Sequence, residues 1–498
     1  MRSKNWIKRI IYFQERKVYN FYTILGFALF VGGIRTIEEV MLAQRRYYHI
    51  DILNNCVFYL LMVFAYTLVV AISSKTDWKK VINAVLIGVF LGIFPPIIDV
   101  FVYGLGNFKY SYFVGLPGIK ELLFFNYTRG FPVGEGIVLW STIIFSAYYI
   151  HIKTSSYKRS LLGGLGVYVI ILLISGMFIP TIASVTAKSI PMRIPSMLVT
   201  SIFQLIPVIV FYLILNPQIF ANLIKRRLHC LPFVLLTFMG GAVSGGINPF
   251  TIFIASMVFY AGLVTLVQND FFDKEEDSLS GRYSYVTGQD VLFFNTTYLI
   301  FVFLLYNVKS MVFLPLILLY IVSVLYNYDF YRAKRFFPAN YKIEGIWGLG
   351  SFLAGIFSQK SFVFTPEIIV FSFLIFGGWS LVSSFKDYKD IEADKAVGNQ
   401  TGYIILMKTG LSLKQAHRIV STVILLCFAV PAIWLFFKNV HILVCVLFPL
   451  ITIPPLWYVL SQRPCTSTVR NVLVVITIYL FLLLLVVISI YQNNPLPR

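Results

Sequence analysis

The sequence predicts an all-α polytopic membrane protein of about fifteen transmembrane helices, and three observations predict it. Hydrophobic residues make up 58% of the chain and charged residues only 12%, with a mean hydropathy of +0.80. A soluble globular chain carries about a quarter charged residues. Apolar windows of about 20 residues, the length a helix needs to cross a hydrocarbon core of about 30 Å, recur from residue 21 to residue 491. Lysine and arginine sit in short clusters between those windows, as they do in cytoplasmic loops. That distribution accounts for the formal charge of +20, so nucleic acid is not expected as a partner.

The elements follow in order. Residues 1–20 hold Arg2, Lys4, Lys8, Arg9, Arg16 and Lys17 and read as a basic amphipathic segment at an anionic lipid surface. The apolar run after them has no small-residue cleavage site and continues into Arg35, so it is expected to be retained. Residues 21–216 hold six spans, near 21–42, 51–73, 81–103, 132–152, 161–181 and 194–215. Arg35, Glu38, Glu39, Asp99 and Glu135 fall in or beside them, and charges at that depth face a bundle interior, where they pair or mark function. Arg35 has i, i+3 and i+4 spacing to Glu38 and Glu39, which predicts an ion pair. Pro95-Pro96 predicts a break in the third span. No residue here has catalytic spacing. The region reads as a six-span accessory membrane domain, with substrate delivery, docking of a protein partner and independent lipid handling all open.

Residues 217–230 read as a basic linker, with Pro217 and Lys225-Arg226-Arg227-Leu228-His229. Nine spans follow in 231–498, near 231–247, 248–268, 290–307, 310–327, 344–359, 366–385, 416–437, 440–460 and 471–492. An N-terminus inside places Lys75/Lys79/Lys80, Lys153/Lys158/Arg159, Lys225/Arg226/Arg227, Arg332/Lys334/Arg335/Lys342 and Arg463/Arg470 on the cytoplasmic side. The opposite loops carry fewer cations, Arg45/Arg46 and the segment with Lys109, Lys120 and Arg129 excepted. Cys56, Cys230, Cys427, Cys445 and Cys465 form no C-x-x-C pair, and the histidines are scattered, so neither a disulfide framework nor a His/Cys metal site is expected.

Two aspartate clusters break the apolar pattern of the second half. Asn269-Asp270-x-x-Asp273-x-x-x-Asp277 and Asp387-x-x-Asp390-x-x-x-Asp394 repeat the same spacing and contain six of the chain's eleven aspartates. The charge count puts both on the cytoplasmic face. On a helix, positions i, i+3 and i+7 form one stripe, so each cluster is expected to aim three carboxylates at one point. Bare carboxylates at that spacing repel, and a set of oxygen donors suits a hard divalent cation such as Mg²⁺ or Ca²⁺.

At these residues the sequence resembles the UbiA family of intramembrane prenyltransferases, over about residues 225–492. The match rests on the N-D-x-x-D-x-x-x-D motif at 269–277 and on Lys386-Asp387-Tyr388-Lys389-Asp390-Ile391-Glu392-Ala393-Asp394-Lys395 with the following Gly398 and Thr401; Ala393 stands where glycine is common. The resemblance implies a nine-helix bundle around a central cavity, with Asp270, Asp273, Asp277, Asp387, Asp390 and Asp394 as catalytic metal ligands for Mg²⁺. It implies that Asn269, Arg282, Lys334, Arg335, Tyr331 and Lys386 bind substrate. The family often has tyrosine four residues before the lysine; here Phe330 precedes Lys334 by four, and Tyr331 precedes Arg335 by four. Lys334 and Arg335 also serve as topology-setting charges under the simpler reading.

The expected function is Mg²⁺-dependent transfer of a prenyl group from a polyprenyl diphosphate to a hydrophobic, aromatic or lipid-soluble acceptor, with release of diphosphate, in the cytoplasmic membrane. An isoprenoid gains about 0.8 kcal/mol per CH₂ on leaving water, which explains a site among membrane helices. The rival reading is a nonenzymatic carrier of isoprenoid diphosphate lipids, which would need the metal but release no diphosphate. A channel lined by aspartate rings fits less well, because these carboxylates lie at a membrane face and not midway along a span.

Overall fold

The computed structural model describes residues 4–44, 49–108, 110, 132–170, 196–274, 284–328, 331, 333, 338–392, 395, 398, 400–437, 442–462 and 466–493. Among them the protein is all-helical, with no strand. It divides into two units, Met1–Phe220 and Ala221–Arg498.

The first unit holds α1 (Lys4–Glu15), α2 (Phe21–Leu42), α3 (His49–Ser74), α4 (Trp78–Phe90), α5 (Pro95–Tyr103), α6 (Val133–Thr154), α7 (Tyr157–Ile170) and α8 (Ser196–Leu215). α9 (Pro217–Arg226) crosses the boundary between units, so the segment read as a linker from sequence is helical over most of its length. The second unit continues with α10 (Leu231–Ser244), α11 (Pro249–Phe272), α12 (Gly288–Val308), α13 (Ser310–Asn327), α14 (Ala339–Phe357), α15 (Pro366–Lys386), the short α16 (Gly402–Lys408), α17 (Leu413–Phe437), α18 (Ile442–Ser461) and α19 (Thr466–Asn493).

Eleven helices among the described residues are long and apolar enough to cross a membrane, or twelve if Pro217–His229 and Leu231–Ser244, bent by 52°, form one span. The sequence predicted about fifteen, and the differences have physical reasons. α2 carries Arg35, Glu38 and Glu39; α10 has only 14 residues; α14 opens on a polar turn with Asn340, Lys342 and Glu344. The far half of the predicted span 161–181 lies outside the described residues.

In the first unit the third span breaks where the prolines require it. α4 gives way to a 3₁₀ turn at Leu91–Ile93, and α5 starts at Pro95. Pro96 has no N–H to offer the carbonyl of Gly92 four residues back. That carbonyl accepts from Tyr59 Oη at 3.0 Å and from Arg35 at 3.4 Å. Arg35 is 4% exposed and also donates to Glu39 at 2.9 Å and Glu135 at 2.8 Å, with its guanidinium 4.3 Å from the Tyr110 ring centroid. The i, i+4 pair is the one the sequence predicted; Glu38 is not in it. Asp99, fully buried, accepts from the Gly134 N–H at 2.7 Å and from Tyr110 Oη at 2.6 Å, satisfying an amide at the start of α6.

This network gives a stability prediction. Arg35→Met leaves buried Glu39 and half-buried Glu135 without that cation, and breaking a buried pair from one side costs about 3–5 kcal/mol. A lowered thermal unfolding midpoint in detergent is expected, partly recovered when Glu39→Gln and Glu135→Gln are added. An unchanged midpoint in the single variant would show that the carboxylates do not depend on Arg35.

In the second unit, side-chain contacts fix the helix directions. α11 and α12 run antiparallel, with Gln268 on Asn295 and Tyr260 on Thr297. α12 and α13 do likewise, with Tyr298 on Leu316 and Asn295 on Tyr328. α14 and α15 are antiparallel through Gly345 beside Ser380 and Tyr341 on Asp387. α10 is antiparallel to α11, with Cys230 against Gly262 and Gly241 against Thr251. The C-terminal ends of α9, α11, α13 and α15 and the N-terminal ends of α10, α12 and α14 therefore share one face of the bundle.

Candidate functional site

The described residues of both aspartate motifs occupy that shared face. The first closes α11: Asn269 and Asp270 lie in its last turn, the helix ends at Phe272, and Asp273 is the capping residue, its N–H bonded to the Asn269 carbonyl at 2.9 Å. The second opens where α15 ends, and Asp387–Asp390 form a 3₁₀ turn. The expectation of one uninterrupted helical stripe per motif is thus corrected. The first motif straddles the C-terminus of α11 and the second starts at that of α15, where the macrodipole is negative and a further row of carboxylates would oppose continued helix. In the 3₁₀ turn, backbone positions 387 and 390 come into line, because residues three apart eclipse.

Asp270 is 3% exposed and anchored from α9: Asn222 Nδ2 donates to its Oδ2 at 2.5 Å, and the Arg226 guanidinium pairs with its Oδ1. Two residues earlier on the same helix, fully buried Gln268 donates to Asn295 Oδ1 at 2.7 Å, and its Oε1 accepts from Ser323 at 2.5 Å and Asn327 at 3.3 Å. Asn295 in turn donates to Tyr328 Oη at 2.8 Å. This layer ties α11, α12 and α13 together one residue from the motif, and its bonds to Gln268 are buried. At the same face Thr287 and Asp290 form a capping box that starts α12.

Asp387 accepts from Tyr341 Oη at 2.9 Å, and that same oxygen accepts from the Gly402 N–H at 2.5 Å. Burial, reinforced by the Asp387 charge, holds the Tyr341 phenol far above the usual tyrosine range, so it remains a donor to the carboxylate. The 3₁₀ turn is backed by an aromatic cluster: the Tyr388 ring lies 5.4 Å from Tyr403 and 5.1 Å from His417, and Tyr403 Oη is 3.2 Å from His417 Nδ1.

Of the residues predicted from sequence, the structure thus places Asn269, Asp270, Asp273 and Asp387 at one face. Asp277, Arg282, Lys334, Arg335 and Asp394, and the side chains of Lys386 and Asp390, lie outside the described residues. Tyr331 sits in the turn after α13, 48% exposed, its N–H bonded to the Tyr328 carbonyl at 3.3 Å. Tyr328 is the tyrosine tied into the polar layer. Among the described residues no three His, Cys, Asp or Glu side chains converge on one point. Asn222, Tyr341 and Gln268 were missed from sequence, and Arg226 was read only as a linker charge. The available signal was Asn222-x-x-x-Arg226, one turn apart on a helix whose Ile219 and Leu223 are buried.

An apolar cavity opens between α10, α15, α17 and α19, lined by Met239, Phe371, Trp379, Phe428, Tyr479 and Leu483 among others. Trp379 is eight residues before Asp387, so the cavity lies about 12 Å along α15 from the second motif.

A multi-pass helical membrane bundle with two aspartate motifs at one face and an apolar cavity among its helices defines the class of protein. The sequence profile described as the UbiA prenyltransferase family matches residues 230–482, about half of the chain, and the protein belongs to that family. Two solved structures of a UbiA homologue from Archaeoglobus fulgidus, one bound to DMAPP and Mg²⁺ and one to GPP and Mg²⁺, are similar at 14% identity and a TM-score of 0.41. The alignments cover 54% and 53% of this chain, respectively, and 97% of the homologue in each case. No curated protein matches.

Proposed function

We propose that the second unit transfers a prenyl group from a polyprenyl diphosphate to a lipid-soluble acceptor inside the membrane and releases diphosphate. The observation that carries this reading is the delivery of two aspartate motifs, from helices of known direction, to one face of a bundle with an apolar cavity beneath it. The residues fit Mg²⁺ by donor chemistry: Asp270, Asp273 and Asp387, with Asp277, Asp390 and Asp394 by motif, offer only hard oxygen ligands. Asp270, Asp273 and Asp387 would hold Mg²⁺, which would supply charge neutralisation for the leaving diphosphate.

The chain's own residues supply the rest. The Asn222 and Arg226 contacts to Asp270 and the Tyr341 bond to Asp387 hold those two carboxylates before substrate arrives, so little reorganisation is needed in the reaction. The isoprenoid tail is assigned to the apolar interior along α15, where the cavity marks an opening between the helices. In the reaction the allylic C–O bond breaks and its electron pair leaves with the diphosphate. The acceptor's nucleophilic atom bonds to the allylic carbon and the acceptor loses a proton. Lys334 and Arg335, with Asn269, Arg282, Tyr331 and Lys386, are assigned to the diphosphate. The face lies on the cytoplasmic side, as the loop charges indicate.

The test is diphosphate release by purified protein in lipid with geranylgeranyl diphosphate, a pool of candidate acceptors and Mg²⁺. Release that stops with EDTA and returns with Mg²⁺ is expected, together with a prenylated product in the mass spectrum. Mg²⁺-dependent binding of the diphosphate without release would overturn transfer in favour of a carrier.

A further inference from the structure

We infer that Asn222 is a positioning residue for the metal site, so that α9 is an element of the site and not a linker beside it. The inference rests on the function proposed above. Asn222 and Arg226 stand one helical turn apart, and each takes a different oxygen of the same carboxylate: Nδ2 to Oδ2 at 2.5 Å, and the guanidinium to Oδ1. The two contacts do different things. The guanidinium compensates the charge of a residue that is 3% exposed. A charge partner on one oxygen still leaves the carboxylate plane free to turn, because χ2 of aspartate is a broad, two-fold torsion. The neutral amide on the other oxygen removes that freedom.

Each carboxylate oxygen accepts at two lone-pair positions, so a donor at one position leaves the other for a cation. Asn222 therefore orients Asp270 while leaving one lone-pair position of that oxygen open, and adds no charge to the site. The face it belongs to is defined by sequence: Ile219, Asn222, Leu223 and Arg226 follow i, i+3, i+4, i+7, with Ile219 5% and Leu223 4% exposed, while Phe220, Ile224 and Lys225 face outward. Partners that orient ligating carboxylates change metal affinity by about 10–100-fold when removed.

The experiment uses full-length protein in lipid nanodiscs, with Mn²⁺ as the spectroscopic probe in the presence of inorganic diphosphate. Wild type is expected to bind Mn²⁺, and Asn222→Ala to bind it about 10–100-fold more weakly. Asn222→Gln, which keeps the donor, is expected to recover part of the affinity, and Lys225→Ala to match wild type. In turnover, Asn222→Ala is expected to raise the Mg²⁺ concentration for half-maximal release while the rate at saturating Mg²⁺ stays within a few-fold of wild type. Asn222→Leu, near-isosteric and without a donor, gives the same readout if the alanine variant is too unstable to purify. Mn²⁺ affinity unchanged in the donor-free variant would overturn this inference alone. Wild-type protein that takes up no Mn²⁺ beside diphosphate would overturn it together with the proposed function.

Discussion

Asp387→Ala and Asp270→Ala are each expected to lower diphosphate release by about 10²–10³-fold, the loss typical when one preorganised group that stabilises developing charge is removed. That range corresponds to about 3–4 kcal/mol of transition-state stabilisation. Both carboxylates are held before substrate binds, Asp387 by Tyr341 and Asp270 by Asn222 and Arg226, so alanine removes an oriented group and not a mobile one. The two variants differ in what they leave behind. Asp387→Ala frees the Tyr341 hydroxyl from the carboxylate but leaves its bond from the Gly402 N–H in place. Asp270→Ala removes one carboxylate from the Arg226 guanidinium, and at 31% side-chain exposure water can replace part of the lost pairing. Release and melting temperature measured side by side separate chemistry from fold. Release within threefold of wild type in either variant, with the protein folded, would remove that aspartate from the metal site.

The parts of this site legible in the sequence are those encoded locally. Aspartate is scarce in the chain, so a repeated D-x-x-D-x-x-x-D stands out against apolar spans, and the membrane fold follows from hydropathy alone. Local spacing also revealed Arg35 with Glu39, but not Glu135, which is 100 residues away and reaches Arg35 only when α6 packs. Tyr341 was hidden for the same reason: 46 residues separate it from Asp387, and nothing in its own neighbourhood distinguishes it from the chain's other 30 tyrosines. Asn222 and Arg226 were visible but misread, because a run of cations between apolar windows looks like a topology signal first. The straight helical stripe expected for each motif failed at a boundary. Spacing reports periodicity but not where a helix stops, and α11 and α15 stop at Phe272 and Lys386.

Gly355→Leu is expected to destabilise the second unit by at least about 3 kcal/mol, because the added atoms meet backbone and not a side chain that could move aside. A Cβ on Gly355 of α14 would clash with the Thr237 carbonyl of α10 and approach the Gly241 nitrogen to 2.9 Å. The contact is reciprocal: a Cβ on Gly240 would clash with the Phe352 carbonyl and lie 3.1 Å from the Ile356 nitrogen. Glycines on both helices therefore let two backbones meet directly, the way membrane helices gain contact when burial from water offers no drive between them. α14 uses small residues on its other sides too, Gly345 and Gly348 against α15 and Gly350 against α13, so it has no side toward which it can shift. Gly377→Ala on α15 is the control: no atom outside its own chain neighbourhood lies within 4 Å of the position a Cβ would take, and alanine there is expected to leave the unfolding midpoint unchanged or slightly raised. The same substitution also tests how fold and site are linked. Tyr341 is carried in the first turn of α14 and holds Asp387, so displacing α14 is expected to weaken Mg²⁺-dependent diphosphate binding in whatever fraction remains folded. A Gly355→Leu protein that melts and binds as wild type does would show that α10 and α14 have room between them, and that Tyr341 is positioned by something other than their close crossing.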